Sequence, residues 1–91
     1  MLYLMARHKL ADYDTWNRSF RSHAQAQRQA GLHLIHVLRE LRDPNSVVAL
    51  FRVDDQGKAR AFTDAPGARE AGGLAGVLSV EMSYWTDSSG Q

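Results

Sequence analysis

Apolar side chains recur along the 91-residue chain with two different periods, and the alternation between those periods sets out the fold. The clearest stretch runs from Leu32 to Val53, LHLIHVLRELRDPNSVVALFRV. Two runs rich in Val, Leu, Ile and Phe flank Asp43-Pro44-Asn45-Ser46, the pattern of a β-hairpin. Pro44 fixes φ at the first corner, and Asp or Asn closes such a turn on its own backbone. A four-residue loop would set Arg42 opposite Val47. Leu41, Arg39, Val37, Ile35 and His33 would then share one face with Val48, Leu50 and Arg52. Glu40, Leu38, His36 and Leu34 would share the other with Ala49, Phe51 and Val53. A slip of one residue would exchange the faces.

The flanking segments follow the same logic. Residues 2–8, LYLMARH, predict a first strand, with Leu2, Leu4, Ala6 and His8 on one face. Residues 12–30 predict the longest helix. Asp12 is a suitable N-cap and Asp14 favours the first turn. Tyr13, Trp16, Phe20, Ala24 and Gln27 recur at three- to four-residue spacing along one face. Gly31 is placed to end the helix in the left-handed conformation. Asp54 is expected to cap a second helix with Ala59, Phe62 and Ala65 inward. Pro66 either ends that helix or starts a short second piece. Residues 77–85 predict the last strand, where Leu78, Val80, Met82 and Tyr84 alternate with Ser79, Glu81, Ser83 and Trp85.

The order is β-α-β-β-α-β, one domain over residues 1–86 with a disordered tail at 87–91. Right-handed crossovers turn this order into an α+β, ferredoxin-like antiparallel sheet with both helices on one face. The other face stays open, yet both faces of the hairpin are apolar. An exposed patch of that kind marks an interface or a ligand groove. A homodimer, with two sheets facing each other to make a dimeric α+β barrel, resolves the conflict.

Size and charge narrow the chemistry. A chain this short buries only about 60–65% of its unfolded surface. The chain has no cysteine, which excludes disulfides, Fe–S clusters and thiolate zinc sites. A net charge of +1 gives no drive toward nucleic acid or an acidic membrane. The apolar run at residues 1–6 is too short to span a bilayer and lacks the shape of a signal peptide, so a soluble cytoplasmic protein is expected. The glycines near residues 72–76 match no phosphate-binding loop.

Three residues are candidate catalytic groups. His23 borders the apolar face of the first helix, where an imidazole can act as a general base. The simpler reading is a solvated helix histidine. His8 ends the first strand and could orient a substrate oxygen or a water, or be a hydrogen-bonded structural histidine. Arg39 stands in mid-strand, where it could stabilise an enolate or phenolate or form an intersubunit salt bridge with Glu81 or Glu40. Arg28, near the end of the first helix, suits a role toward the helix dipole. Tyr13, Trp16, Phe20, Phe51 and Tyr84 are candidate substrate-binding aromatics, and otherwise core. His33 and His36, three apart on a strand, are expected on opposite faces and so unable to share a metal.

The residues Arg7-His8-Lys9-Leu10, Asp12-Tyr13, Trp16, Phe20, His23, Arg28 and Gly31 form a recognisable pattern. Leu38-Arg39, Asp43-Pro44-Asn45-Ser46-Val47, Asp54, Ala59, Phe62 and Ala75-Gly76-Val77 continue it. Over residues 3–85 the chain resembles the antibiotic biosynthesis monooxygenase-like proteins and the small polyketide cyclases that share their fold. Arg21 departs from the pattern, which has an acidic residue there, and a proline before the last strand is missing. The resemblance implies a homodimer with one cavity per subunit. It implies a small enzyme working without a cofactor on aromatic or polyketide-type substrates, by oxidation to a quinone or by cyclisation. The alternatives are a non-catalytic ligand-binding or accessory protein of the same fold, and a haem-binding member.

Overall fold

The structure is a computed structural model and describes residues 1–88. Four strands form one sheet: β1 (Leu2–Leu10), β2 (Leu32–Arg39), β3 (Ser46–Val53) and β4 (Val77–Thr86). Their order is β2-β3-β1-β4, and every neighbouring pair is antiparallel. The crossover from β1 to β2 carries α1 (Tyr13–Ser22) and α2 (Ala24–Gln29). That from β3 to β4 carries α3 (Gln56–Thr63) and α4 (Pro66–Leu74). This is the expected ferredoxin-like α+β arrangement.

The helices cover one sheet face because the apolar positions of the two central strands point there. Leu4 and Ala6 of β1 pack with Ala49, Phe51 and Val53 of β3, Leu32 of β2 and Ala59 of α3. A second cluster joins Leu10, Val47, Trp16 and Ala75. Tyr3, Met5, Arg7, Val48, Leu50 and Arg52 alternate with these positions and face the open side.

The helix ends follow their capping chemistry. The Asp12 carboxylate accepts from the Thr15 N–H at 2.9 Å. The expected long helix breaks at His23, which closes α1 and opens α2 at φ −96°, ψ 8°. Gly31 has φ +78°, as its position after α2 predicts. Asp55, not Asp54, caps α3, accepting from the Lys58 N–H at 2.7 Å. Asp54 instead bridges β2 and β3. Pro66 occupies the first turn of α4, so it starts a second piece.

The hairpin register departs from the expected one. Asp43–Ser46 does turn, with the Ser46 N–H donating to the Asp43 carbonyl at 2.9 Å. That turn, however, sits within a longer loop, and Arg39 rather than Arg42 pairs with Val47. The register also shifts between Leu34 and His36, so that Ile35 is an extra residue. The bulge has two consequences. His33 and His36, opposite Arg52 and Leu50, lie on the same open face, not on opposite faces. Arg39, opposite Val47, crosses to the helix side and no longer shares a face with His33.

A second register shift, where Lys9 pairs with Ser79 and Leu10 with Val77, gives Val77 the inward position at the start of β4. Asp87, in the tail expected to be disordered, lies 3.2 Å from the N-terminal ammonium. The rest of that tail, 89–91, lies outside the described residues. No helix among the described residues is long and apolar enough to cross a membrane.

Candidate functional site

A cavity of about 420 Å³ lies between the sheet and its helices. Its floor is the inward face of the strands: Leu4, Ala6 and His8 of β1, Phe51 of β3, Val80 and Met82 of β4. Its roof is Trp16, Ser19, Phe20, His23 and Gln27 of α1 and α2, with Phe62, Ala68, Arg69 and Gly72 of α3 and α4. Val80 and Met82 stay 46% and 43% exposed, so the cavity opens toward solvent along β4. A largely apolar hollow of this size, carrying a few polar groups, suits a small organic ligand.

An aromatic row forms one wall. Trp16 and Phe20, one helical turn apart, stack with centroids 4.6 Å apart. Phe20 meets Phe51 at 6.0 Å. These three of the candidate binding aromatics reach the cavity. Tyr13 and Tyr84 do not line it. The Arg39 guanidinium lies 3.7 Å above the Tyr13 ring, and Arg39 Nε donates to the Pro44 carbonyl at 3.1 Å. The structure therefore brings His8 and His23 together at one cavity and leaves Arg39 at the hairpin end of the sheet, where cation–π stacking and a backbone acceptor satisfy it. Glu81, offered from sequence as its partner, lies opposite Arg7 on the open face.

His23 is anchored at the junction of α1 and α2. Its Nδ1 lies 2.7 Å from the Ser19 carbonyl oxygen. A carbonyl only accepts, so Nδ1 carries the proton in the neutral ring and Nε2 keeps a lone pair. The Ser19 oxygen also accepts from Ser22 Oγ at 2.6 Å.

His8 occupies a different environment. Its ring packs on Trp16 with centroids 5.5 Å apart, and Nδ1 is buried without a partner among the described residues. Burial lowers its pKa from the ordinary 6.5, opposed more weakly by the Ala6 carbonyl. His8 is thus held neutral beside the cavity. The Tyr84 hydroxyl is likewise buried and unpartnered, and burial raises its pKa. Arg60 sits over the Tyr84 ring at 5.1 Å.

Gln27 was legible as an inward helix position but not as a site residue. It is buried and lines the cavity. The available signal was a polar side chain on an otherwise apolar stripe.

The open face carries its own polar cluster. Asp54 accepts from His33 Nε2 at 2.8 Å and from Arg52 Nη1 at 2.9 Å. The His33 bond, chiefly, holds the Asp54 carboxyl below its usual pKa. Asp54 stands beside His33, yet no metal-binding group of three is found among the described residues.

No protein-family model matches the chain, and no curated protein matches it either. Solved structures do. The cofactor-independent oxygenase SnoaB from Streptomyces nogalater superposes with a TM-score of 0.71 at 22% identity, over 94% of this chain and 91% of that one. The chain shares its fold. A Bordetella bronchiseptica protein assigned as an antibiotic biosynthesis monooxygenase gives 0.77 at 10% identity, covering 96% of each chain. One from Deinococcus radiodurans with the same assignment gives 0.69 at 19% identity, over 98% of this chain and 94% of that one. The architecture is therefore that of the antibiotic biosynthesis monooxygenase-like proteins.

Proposed function

We propose that the chain is a small cofactor-independent enzyme that removes a proton from an aromatic or polyketide-type substrate held in the helix–sheet cavity. The observation that carries this reading is His23. Its Nδ1 is committed to Ser19, its Nε2 lone pair is free, and it lines an apolar, aromatic-walled cavity. His23 takes the proton of a phenol, or of a C–H beside a carbonyl, and the imidazolium stays next to the anion it has made.

Two outcomes follow from that anion. An electron-rich phenolate passes one electron to dioxygen; the radical pair combines, and loss of water leaves a quinone. An enolate attacks a second carbonyl of the same molecule and closes a ring. SnoaB, an oxygenase of the same fold, favours the first. The aromatic wall of Trp16, Phe20 and Phe51 gives a flat substrate a face to stack on.

Two copies pair through their open sheet faces. Ile35, Leu38 and Trp85 on the outer strands stay 41%, 53% and 54% exposed. A second sheet covers them and completes a barrel with the helices outside.

Incubation with simple naphthols and anthrols under oxygen tests the reading. Quinone formation with one dioxygen consumed per product supports the oxygenase. Ring closure of a poly-β-ketone without oxygen uptake assigns the cyclase. Binding without turnover of either class refutes the enzyme and leaves a ligand-binding protein.

A further inference from the structure

Gln27 is one of only two buried polar or charged residues among those described, with 8% of its surface accessible. It follows His23 by one helical turn, and its N–H donates to the His23 carbonyl at 2.9 Å. Both side chains leave the same helical face and both line the cavity. No hydrogen bond ties the Gln27 amide to another described residue. Phe20, Leu32 and Phe51 line the same cavity and offer no polar partner. An amide largely withdrawn from water gains from a partner, whereas an apolar side chain of similar volume needs none. Across the cavity, His8 Nδ1 is fully buried and unpartnered among the described residues. The Gln27 amide keeps some access and lines the cavity.

We infer that Gln27 is a specificity-determining residue: its amide pairs with an uncharged oxygen, a hydroxyl or a ring carbonyl, on the ligand. The inference rests on the proposed function and assigns the polar recognition within that same cavity. A glutamine amide offers an acceptor and two donors and carries no charge. It matches a hydroxyl or carbonyl and leaves a buried carboxylate without a counter-charge. Arg69 is the one arginine or lysine among the described residues lining the cavity, and it is exposed. Side chains one turn apart have Cβ atoms about 5–6 Å from each other. An oxygen held by Gln27 is thereby kept close to His23.

Equilibrium dialysis of 1-naphthol and naphthalene, without dioxygen so that no turnover occurs, against the wild type, Gln27→Leu and Gln27→Met tests this. The wild type is expected to bind 1-naphthol about tenfold more tightly than naphthalene, the usual effect of one buried hydrogen bond. Both variants are expected to lose that preference while still binding naphthalene. Their thermal midpoints are expected to hold or rise, because no hydrogen bond to a described residue is lost with the amide. A structural glutamine would behave oppositely: a lowered midpoint with the preference intact overturns the inference. Equal affinity of the wild type for both compounds also overturns it, while the cavity reading stands. Binding of neither compound to the wild type removes the cavity reading and the inference with it.

Discussion

The imidazole of His8 packs on the indole of Trp16, centroids 5.5 Å apart and planes tilted by 49°, with Nδ1 buried and unpartnered. The contact joins β1 to α1 at the cavity, and burial there disfavours the charged ring. Because the folded-state pKa is lowered, the unfolded chain takes up a proton first as the solution is acidified. The contribution of His8 to stability is complete above the ordinary 6.5 and is lost as the pH falls from there toward the lowered value. A melting series from pH 7.5 to 5 on wild type and His8→Phe checks this. The wild-type midpoint falls more steeply across the window than that of the variant; parallel curves would contradict the account.

Asp54 works in a lower window. Its folded-state pKa is depressed, chiefly by the His33 hydrogen bond. Its contribution is present above the ordinary 3.8 and is lost as pH falls below it. Asp54→Asn should flatten the stability profile between pH 4 and 2.5. Urea midpoints across that window check this, and an unchanged slope there would contradict the pairing.

Gly31 ends α2 at φ +78°, and a Cβ there would stand 3.2 Å from Asp54 Cβ. Gly31→Ala therefore meets both a left-handed backbone and a neighbour. The backbone alone costs roughly 1–2 kcal/mol, which at this chain length lowers the thermal midpoint by on the order of 5–10 °C. Calorimetry that found no loss would contradict the turn geometry.

The open sheet face makes a separate claim. Leu38 is 53% exposed on the outer strand and, past the bulge, faces away from the helices. Leu38→Glu puts a charge into the proposed interface and should convert a dimer into a monomer by light scattering. A wild type that is already monomeric at micromolar concentration contradicts the paired-sheet barrel.

Much of this architecture is legible in the chain. Asp12, Gly31, the Asp43–Ser46 turn and the alternation of β4 each carry local chemistry that outside contacts do not override. The hairpin register is not legible in the same way. A turn sequence fixes where the chain reverses, but not how many residues flank the reversal before pairing begins. Nor does Ile35 announce a bulge: it is a good strand former, and only the pairing of Leu34 with Phe51 and of His36 with Leu50 makes it the extra residue. That one residue moves Arg39 to the helix side and places His33 with His36. The choice between Asp54 and Asp55 as cap is of the same kind, since both are competent and the His33–Arg52 pairing takes the first. At the site, the helical period places Gln27 on the inward face and His23 at its border. Whether a polar side chain there is satisfied depends on β1 and β3, which lie far away in sequence.

The most direct measurement of the central claim is dioxygen uptake with 1-naphthol-type substrates by wild type and His23→Ala, with and without added imidazole. The account predicts a loss of about 10²–10⁴-fold in turnover, partial rescue by imidazole, and an almost unchanged thermal midpoint. Wild-type turnover in His23→Ala would contradict it, because the base would then lie elsewhere.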